Sequence, residues 1–367
     1  MFSVDNFYDF VYSNYGPEKT NNFILTFQPH GSKDLHNLEP FVDSPLSMPD
    51  FVTRMCASGR IVMHDQEPLF LDYLHTYRFM LQHQKNLIYC ANERQLQRVN
   101  RLIEYPEDLS NIEFLKKAVG GNVCPIICHS ELNSQDINIL EQNGFIGCYY
   151  WWHGMIARDW YRHWHHYDCL QVKDKSLSNS RFLLYCRATD GSRTYRLDLL
   201  NHCKQYQHLI KHNWNGDHVD STFSAKIDIN DAEPPVHIVA ETLFDTNKIY
   251  LTEKVFKPMV MSQAFVLFAP PGSLQYLRDY GFKTFDCCWD ESYDLEQDSS
   301  VRMSKLLQLI NNLARMPQDK FKDLYQRALP VIRHNRQRFF DMSFQDDLIS
   351  EMRTNMSTAL LKQNQCH

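Results

Sequence analysis

The chain has 367 residues, 43% of them hydrophobic and 22% charged, with a formal net charge of −6. That length and apolar content suit two cores of ordinary size, and no low-complexity tract of a disordered protein is present. The acidic balance disfavours a binder that holds nucleic acid by overall charge, while leaving room for a local basic patch.

Eleven cysteines are scattered from Cys56 to Cys366. Cys90, Cys124, Cys128, Cys148 and Cys186 lie in apolar, strand-like runs, where a thiol behaves as a small hydrophobe. No Cys-x-x-Cys pair occurs; Cys124 and Cys128 are four apart, and Cys287 and Cys288 are adjacent. A disulfide framework or a zinc site is disfavoured, and a reducing, cytoplasmic setting is expected. Residues 1–10 carry acidic side chains and no basic segment, unlike a secretory leader. No apolar run approaches the ~20 residues of a membrane span.

Residues 1–20 predict a short helix ending before Gly16-Pro17, followed by a strand at Phe23–Phe27. A helix is expected near Pro49–Ala57 and a strand at Arg60–Met63, running into His64-Asp65-Gln66-Glu67-Pro68. Pro68 holds Glu67 extended, so both carboxylates belong to a strand-end loop. The alternation continues with helix Leu69–Gln82, strand Asn86–Cys90, helix Glu93–Ile103, strand Val123–Cys128, helix Ser134–Gln142 and strand Phe145–Tyr150. The polar stretch 165–180 is the expected linker.

A second alternating set begins with a strand at Arg181–Tyr185, a loop at Arg187–Ser192 and a helix at Arg193–Cys203. A strand near His208–His212 follows, then Val236–Ala240, apolar and β-branched like a strand covered on both faces. Thr252 offers an N-cap hydroxyl to a helix with Glu253 and Lys254 in its first turn. Strand Ala264–Ala269 stops at Pro270-Pro271-Gly272, before a helix at Ser273–Tyr280. Three helices close the chain, at Ser299–Ala314, Gln318–Arg338 and Phe344–Leu361. Strands alternating with helices at this spacing predict α/β domains with doubly wound, Rossmann-like parallel sheets. The expected division is a first α/β domain 1–165, a second α/β domain 181–343, and a C-terminal helix and tail 344–367.

Ligands bind at the carboxyl ends of strands in such sheets. Arg187, Arg193 and Arg196 follow the first strand of the second set, with Ser192 as the expected N-cap. Lys254 is a second cation at a helix start, where the dipole alone disfavours it unless an anion is present. Two such starts in one domain point to a shared diphosphate, gripped by a guanidinium and an ammonium. The alternative is a pair of solvated helix starts whose cations pair with nearby carboxylates. Glu241 and Glu253 offer acceptors for ribose hydroxyls. Neither a Walker motif nor a GxGxxG fingerprint occurs, which disfavours phosphate-loop NTPases and dinucleotide dehydrogenases.

Tyr250-Leu251-Thr252-Glu253-Lys254 resembles the donor motif Tyr-Val-Thr-Glu-Lys of the α1,3/1,4-fucosyltransferases, and Arg193 with Tyr195, Leu200 and Asn201 is similar to their upstream Arg…Leu-Asn helix. The resemblance covers roughly Arg181–Asp286. It implies a GT-B architecture and an inverting enzyme with a nucleotide-sugar donor. It gives Arg193 and Lys254 to the diphosphate and Glu253 to the nucleotide sugar, with Tyr250 and Thr252 in the motif. Ala240-Glu241-Thr242 departs from the family's Phe-Glu-Asn, and Glu241 lies two residues further from Glu253 than in the family. The wording ETLFDTNKIYLTEK and GSLQYLRDYGFKTFD also resembles uncharacterised glycosyltransferase-like proteins of large phages.

An inverting transfer needs a base for the acceptor hydroxyl. Asp65 and Glu67 are the favoured pair, with the alternative that they cap a helix or bind an arginine. Glu131, His153 and Arg158 are further acceptor-side residues. No paired-carboxylate metal motif is evident, so no cofactor beyond the nucleotide-sugar donor is expected. The tract 149–166 (YYWWHGMIARDWYRHWHH) is rich in aromatic and basic residues, suited to stacking on sugars or unpaired bases. Its alternative is an amphipathic helix with Ile156, Trp160 and Trp164 in the core. Three readings stand: a glycosyltransferase acting on a glycan hydroxyl, an enzyme glycosylating hydroxymethylated DNA bases, and a non-catalytic module that binds nucleotide sugar or glycan.

Overall fold

The computed structural model describes residues 4–20, 22–27, 60–64, 68–69, 124–167, 180–186, 189, 191–215, 218–219 and 229–366. The chain divides into two compact units, Met1–Trp152 with Ile349–His367, and His153–Leu348. The described residues form an α/β protein with two parallel four-stranded sheets and long C-terminal helices. No helix among them is long and apolar enough to cross a membrane.

In the first unit, β1 (Phe23–Phe27), β2 (Arg60–His64), β3 (Ile126–His129) and β4 (Ile146–Tyr149) lie in that order, every pair parallel. All four residues of β3 are buried, the apolar Ile126–Cys128 and the polar His129 at its end. Helix Val4–Tyr15 buries Phe7 and Val11, one turn apart, and sets the Phe7 ring 4.9 Å from that of Trp152. Ser134 caps helix Gln135–Gln142 by accepting the Ile137 N–H.

The last helix, Met342–Gln365, belongs to this unit from Ile349 onward. Its polar side chains satisfy backbone groups that the sheet leaves over. The Glu351 carboxylate accepts the Trp151 N–H (3.1 Å), and Asn355 donates to the Tyr149 carbonyl (2.8 Å). Gln363 donates to the Cys124 carbonyl and accepts from Asn22, both at 2.9 Å.

In the second unit the sheet contains β5 (Phe182–Leu184), β6 (Ile210–His212), β9 (Val236–Ala240) and β10 (Ala264–Phe268). Between β6 and β9 the chain forms a two-residue antiparallel pair, β7 (Trp214–Asn215) with β8 (His218–Val219). The sheet order is β10-β9-β5-β6, all parallel. The chain first adds β6 on one side of β5, then returns to the other side for β9 and β10. That reversal lies between β5 and β9, and the crevice beyond their carboxyl ends is where open sheets of this kind receive ligands.

Every residue of β9 and β10 is buried. Helices Ser299–Arg315 and Gln318–Phe340 follow. Arg181, just before β5, closes the first of these by donating to the carbonyls of Leu313 (2.8 Å), Ala314 (3.1 Å) and Met316 (2.7 Å). Arg302 is fully buried, with its guanidinium on the Glu296 and Phe244 carbonyls and 4.5 Å from the Phe244 ring centroid.

Of the expected linker, residues 168–179 lie outside the described set, as do the elements expected at Pro49–Ala57, Asn86–Cys90 and Glu93–Ile103, and all but Leu69 of Leu69–Gln82.

His237, the second residue of the fully buried β9, is neutral at physiological pH: burial, with Lys257 nearby, pushes its pKa down to about 3 from 6.5. The unfolded chain takes up that proton below pH 6.5 and the folded chain does not. The stabilisation is therefore complete above about pH 6.5 and is lost as pH falls toward 3. Urea unfolding of His237→Gln and the parent chain across pH 4–7 is expected to show the parent losing up to about 1.4 kcal/mol more per pH unit. Parallel pH profiles would contradict it.

Candidate functional site

Beyond the end of β9, the chain places Glu241 and Thr242 at the mouth of the β5–β9 crevice, and ten residues later it returns at Thr252. Glu241 is completely buried. Its Oε2 accepts the Thr252 hydroxyl at 2.7 Å and its Oε1 accepts the Thr252 N–H at 3.2 Å. The Thr252 oxygen in turn accepts the Lys254 N–H (3.4 Å) and the Lys254 ammonium (2.9 Å). One donor and two acceptor positions exhaust what a hydroxyl offers. Burial raises the Glu241 pKa, opposed by Lys254 and the Thr252 hydrogen bond.

Lys254 also lies 3.4 Å from the Thr242 hydroxyl and 3.5 Å from Glu253 Oε1, with 30% of its side chain exposed. The other oxygen of Glu253 is 3.7 Å from Nδ1 of His153, and the imidazole Nε2 shares a 2.7 Å hydrogen bond with the Tyr250 hydroxyl. His153 and Tyr250 are both buried, ring edge to ring face, 4.9 Å apart. Tyr161 is buried beside them, its phenol held well above the ordinary range by burial and then by the charges of Glu253 and Glu241.

Thr252 caps as expected, but the element it starts is a 3-10 turn, Glu253–Val255, leading into a short helix, Phe256–Val260. Ser192 does not cap. A 3-10 turn, Gly191–Arg193, precedes the helix, which runs Tyr195–Cys203 from an N-cap at Thr194. Gly191 has φ +55°, a turn conformation that ends the approach before the helix can begin. Ser192 instead reaches the Thr242 carbonyl (3.4 Å), which brings the turn bearing Arg193 to the strand end that holds Lys254.

The structure thus gathers Glu241, Tyr250, Thr252, Glu253, Lys254 and His153, with the Arg193 turn alongside. Glu131 lies in the first unit, where its buried carboxylate accepts the Leu69 N–H and the Ser134 hydroxyl. Arg158 donates to the Phe339 carbonyl. Asp65, Glu67 and Arg187 lie outside the described residues. In the aromatic tract, Trp151 and Trp152 are wholly buried, and Ile156 with them. Trp164 packs on a core of Leu183, Ala232 and Met261. The packed alternative thus holds for Ile156, while Trp160 and Trp164 are half-buried; the indoles of Trp151 and Trp152 offer no stacking face.

Two residues named in the sequence take a role here that the sequence pattern did not assign them. Arg196, 2% exposed, donates to the carbonyls of Ala240 (3.0 Å) and Glu241 (2.7 Å), and Tyr195 donates to the Glu241 carbonyl at 2.6 Å. They hold the strand end that carries the site. The signal was present: Leu199, Leu200 and Cys203 continue the helical face on which Arg196 sits, marking it as the inward arginine.

Among the described residues no group of three or more His, Cys, Asp or Glu side chains is arranged to hold a metal ion. Comparison of the chain with protein-family models, curated proteins and solved structures finds no match.

Thr252→Val removes the cap, the ammonium's acceptor and the donor to a buried carboxylate in one change. A loss of about 2–4 kcal/mol in urea unfolding is expected, and Thr252→Ser is expected to stay within about 1 kcal/mol of the parent. Equal losses in the two variants would mean that packing of the methyl group, not the hydroxyl, is what Thr252 contributes.

Proposed function

We propose that the chain is a nucleotide-sugar-dependent, inverting glycosyltransferase of GT-B type, with its donor site at the carboxyl ends of β5 and β9. One observation carries this reading: Lys254 is fixed by two threonine hydroxyls beside the strand-order reversal, within the motif Tyr250–Lys254. A transfer from a nucleotide sugar expels a diphosphate, so the site must stabilise charge on the leaving group. Lys254, assisted by Arg193, supplies that charge. Glu253, beside His153, offers an acceptor to ribose next to the ammonium.

Glu241 has no exposure, and in this reading it acts through Thr252, as a positioning residue for Lys254. The acceptor is a glycan hydroxyl, deprotonated by Asp65 or Glu67. The DNA-acceptor reading rested on the tract 149–166, and the burial of Trp151 and Trp152 takes away two of its stacking faces.

A ligand that binds only the folded state raises its unfolding temperature. Saturating GDP- or UDP-sugars are expected to raise it by about 5–10 °C, and CMP-sugars, with a single phosphate, by much less. Lys254→Ala and Arg193→Ala are expected to lose the shift while keeping the parent's circular dichroism. The reading fails if both variants shift as the parent does, or if no nucleotide sugar moves the parent at all.

A further inference from the structure

Cys287 and Cys288 stand apart from the donor site on a turn whose two flanks are both anchored. The Phe285 carbonyl accepts the N–H groups of Cys288 (2.8 Å) and Trp289 (3.1 Å), and the rings of Phe285 and Trp289 stack at 5.2 Å. The Glu291 carboxylate closes the loop by accepting the Phe285 N–H (2.6 Å) and the Thr284 hydroxyl (2.6 Å), and it pairs with Arg278 at 2.7 Å. On this frame the two sulfurs are 3.5 Å apart, with Cys287 exposed and Cys288 half-buried. They lie against helix Gln318–Phe340, 4.0 Å from the Arg327 carbonyl and 3.8 Å from the Leu324 carbonyl.

A centre with sulfur bonds of about 2.3 Å to both would subtend about 100°, close to the angle at a pyramidal or tetrahedral atom. The frame therefore presents a ready-made bite for one soft centre, with little ordering left to do. Zinc takes four ligands, and no group of three or more His, Cys, Asp or Glu side chains among the described residues is arranged to supply them. Burial, then the hydrogen bond to Cys287, pushes the Cys288 thiol up to about 12, so it keeps its proton near neutrality. The suitable partner is one that removes thiol protons as it binds.

We propose that Cys287 and Cys288 form a vicinal dithiol site for trivalent arsenicals. In the reaction with a monosubstituted arsenic(III) oxide, the arsenic–oxygen double bond breaks and two arsenic–sulfur bonds form. Both thiol protons leave on the oxygen as water, and no oxidation state changes.

The test uses the full chain, fully reduced, and phenylarsine oxide. Eleven cysteines are present, and Cys124 and Cys366 form a second thiol pair, sharing a hydrogen bond. The protein is therefore challenged with excess monothiol before intact mass and peptide mapping. One adduct is expected to survive the monothiol, map to the peptide with Cys287 and Cys288, and release with a dithiol. Because the second sulfur bond is intramolecular, Cys287→Ser and Cys288→Ser are each expected to bind at least about 100-fold more weakly. The double variant Cys124→Ser/Cys366→Ser is expected to bind as the parent. An adduct that persists in the Cys287 and Cys288 variants, or is lost in the Cys124/Cys366 variant, would overturn the assignment. So would a parent chain that holds no monothiol-resistant adduct.

Discussion

A carboxylate without solvent contact must find its donors inside the protein, and Glu241 finds its principal ones in a single residue. Thr252 gives it both a backbone N–H and a hydroxyl. This pair joins the end of β9 to the place where the chain resumes regular structure, so the ten residues between become a closed loop rather than a free excursion. The consequence reaches further than the loop. With its hydrogen committed to Glu241, the Thr252 hydroxyl can face Lys254 only as an acceptor, and the ammonium is drawn to it. Burial of one acid thus sets the position of one base.

The strand end on which this depends is itself held. Arg196 and Tyr195 donate to the carbonyls of Ala240 and Glu241, at the carboxyl end of β9 where the ladder stops. Because their helix follows β5 and the strand end belongs to β9, these bonds join the two sides of the strand-order reversal. A chain that simply added strands in sequence would bring no such helix to that position. The topology and the buried arginine are therefore two aspects of one arrangement.

Much of this was legible beforehand. The strands Phe23–Phe27 and Val236–Ala240 coincide with their apolar runs, and the three C-terminal helices match their periodicity to within a few residues at most ends. Continuous apolar stretches bounded by proline, glycine or charge leave little choice of element. The capping role of Thr252 was legible too, because the hydroxyl precedes the acidic turn. What escaped was direction. A basic cluster taken by itself does not say which of Arg193 and Arg196 is buried; that needs the apolar face of Leu199, Leu200 and Cys203, which Arg196 shares. The tract Trp151-Trp152-His153 posed the same difficulty. Aromatic residues serve cores and stacking surfaces alike, and only the packing of Phe7 on Trp152 separates the two.

The length of the element after Thr252 changes where the charge at this site comes from. A long helix would bring a macrodipole, with partial positive charge spread over several N–H groups. Here a three-residue 3-10 turn leads into five residues of α-helix containing Pro258, so few peptide dipoles are aligned and one donor is missing. An anion at this strand end would meet a side-chain charge more than a backbone one. In the proposed reading, Lys254 stands in for the helix start that would otherwise meet a phosphate. That is the physical reason for fixing it so closely. A flexible lysine stem loses about 2 kcal/mol of rotamer entropy when it is held. Two hydroxyls and the Glu253 carboxylate meet most of that cost before any ligand arrives.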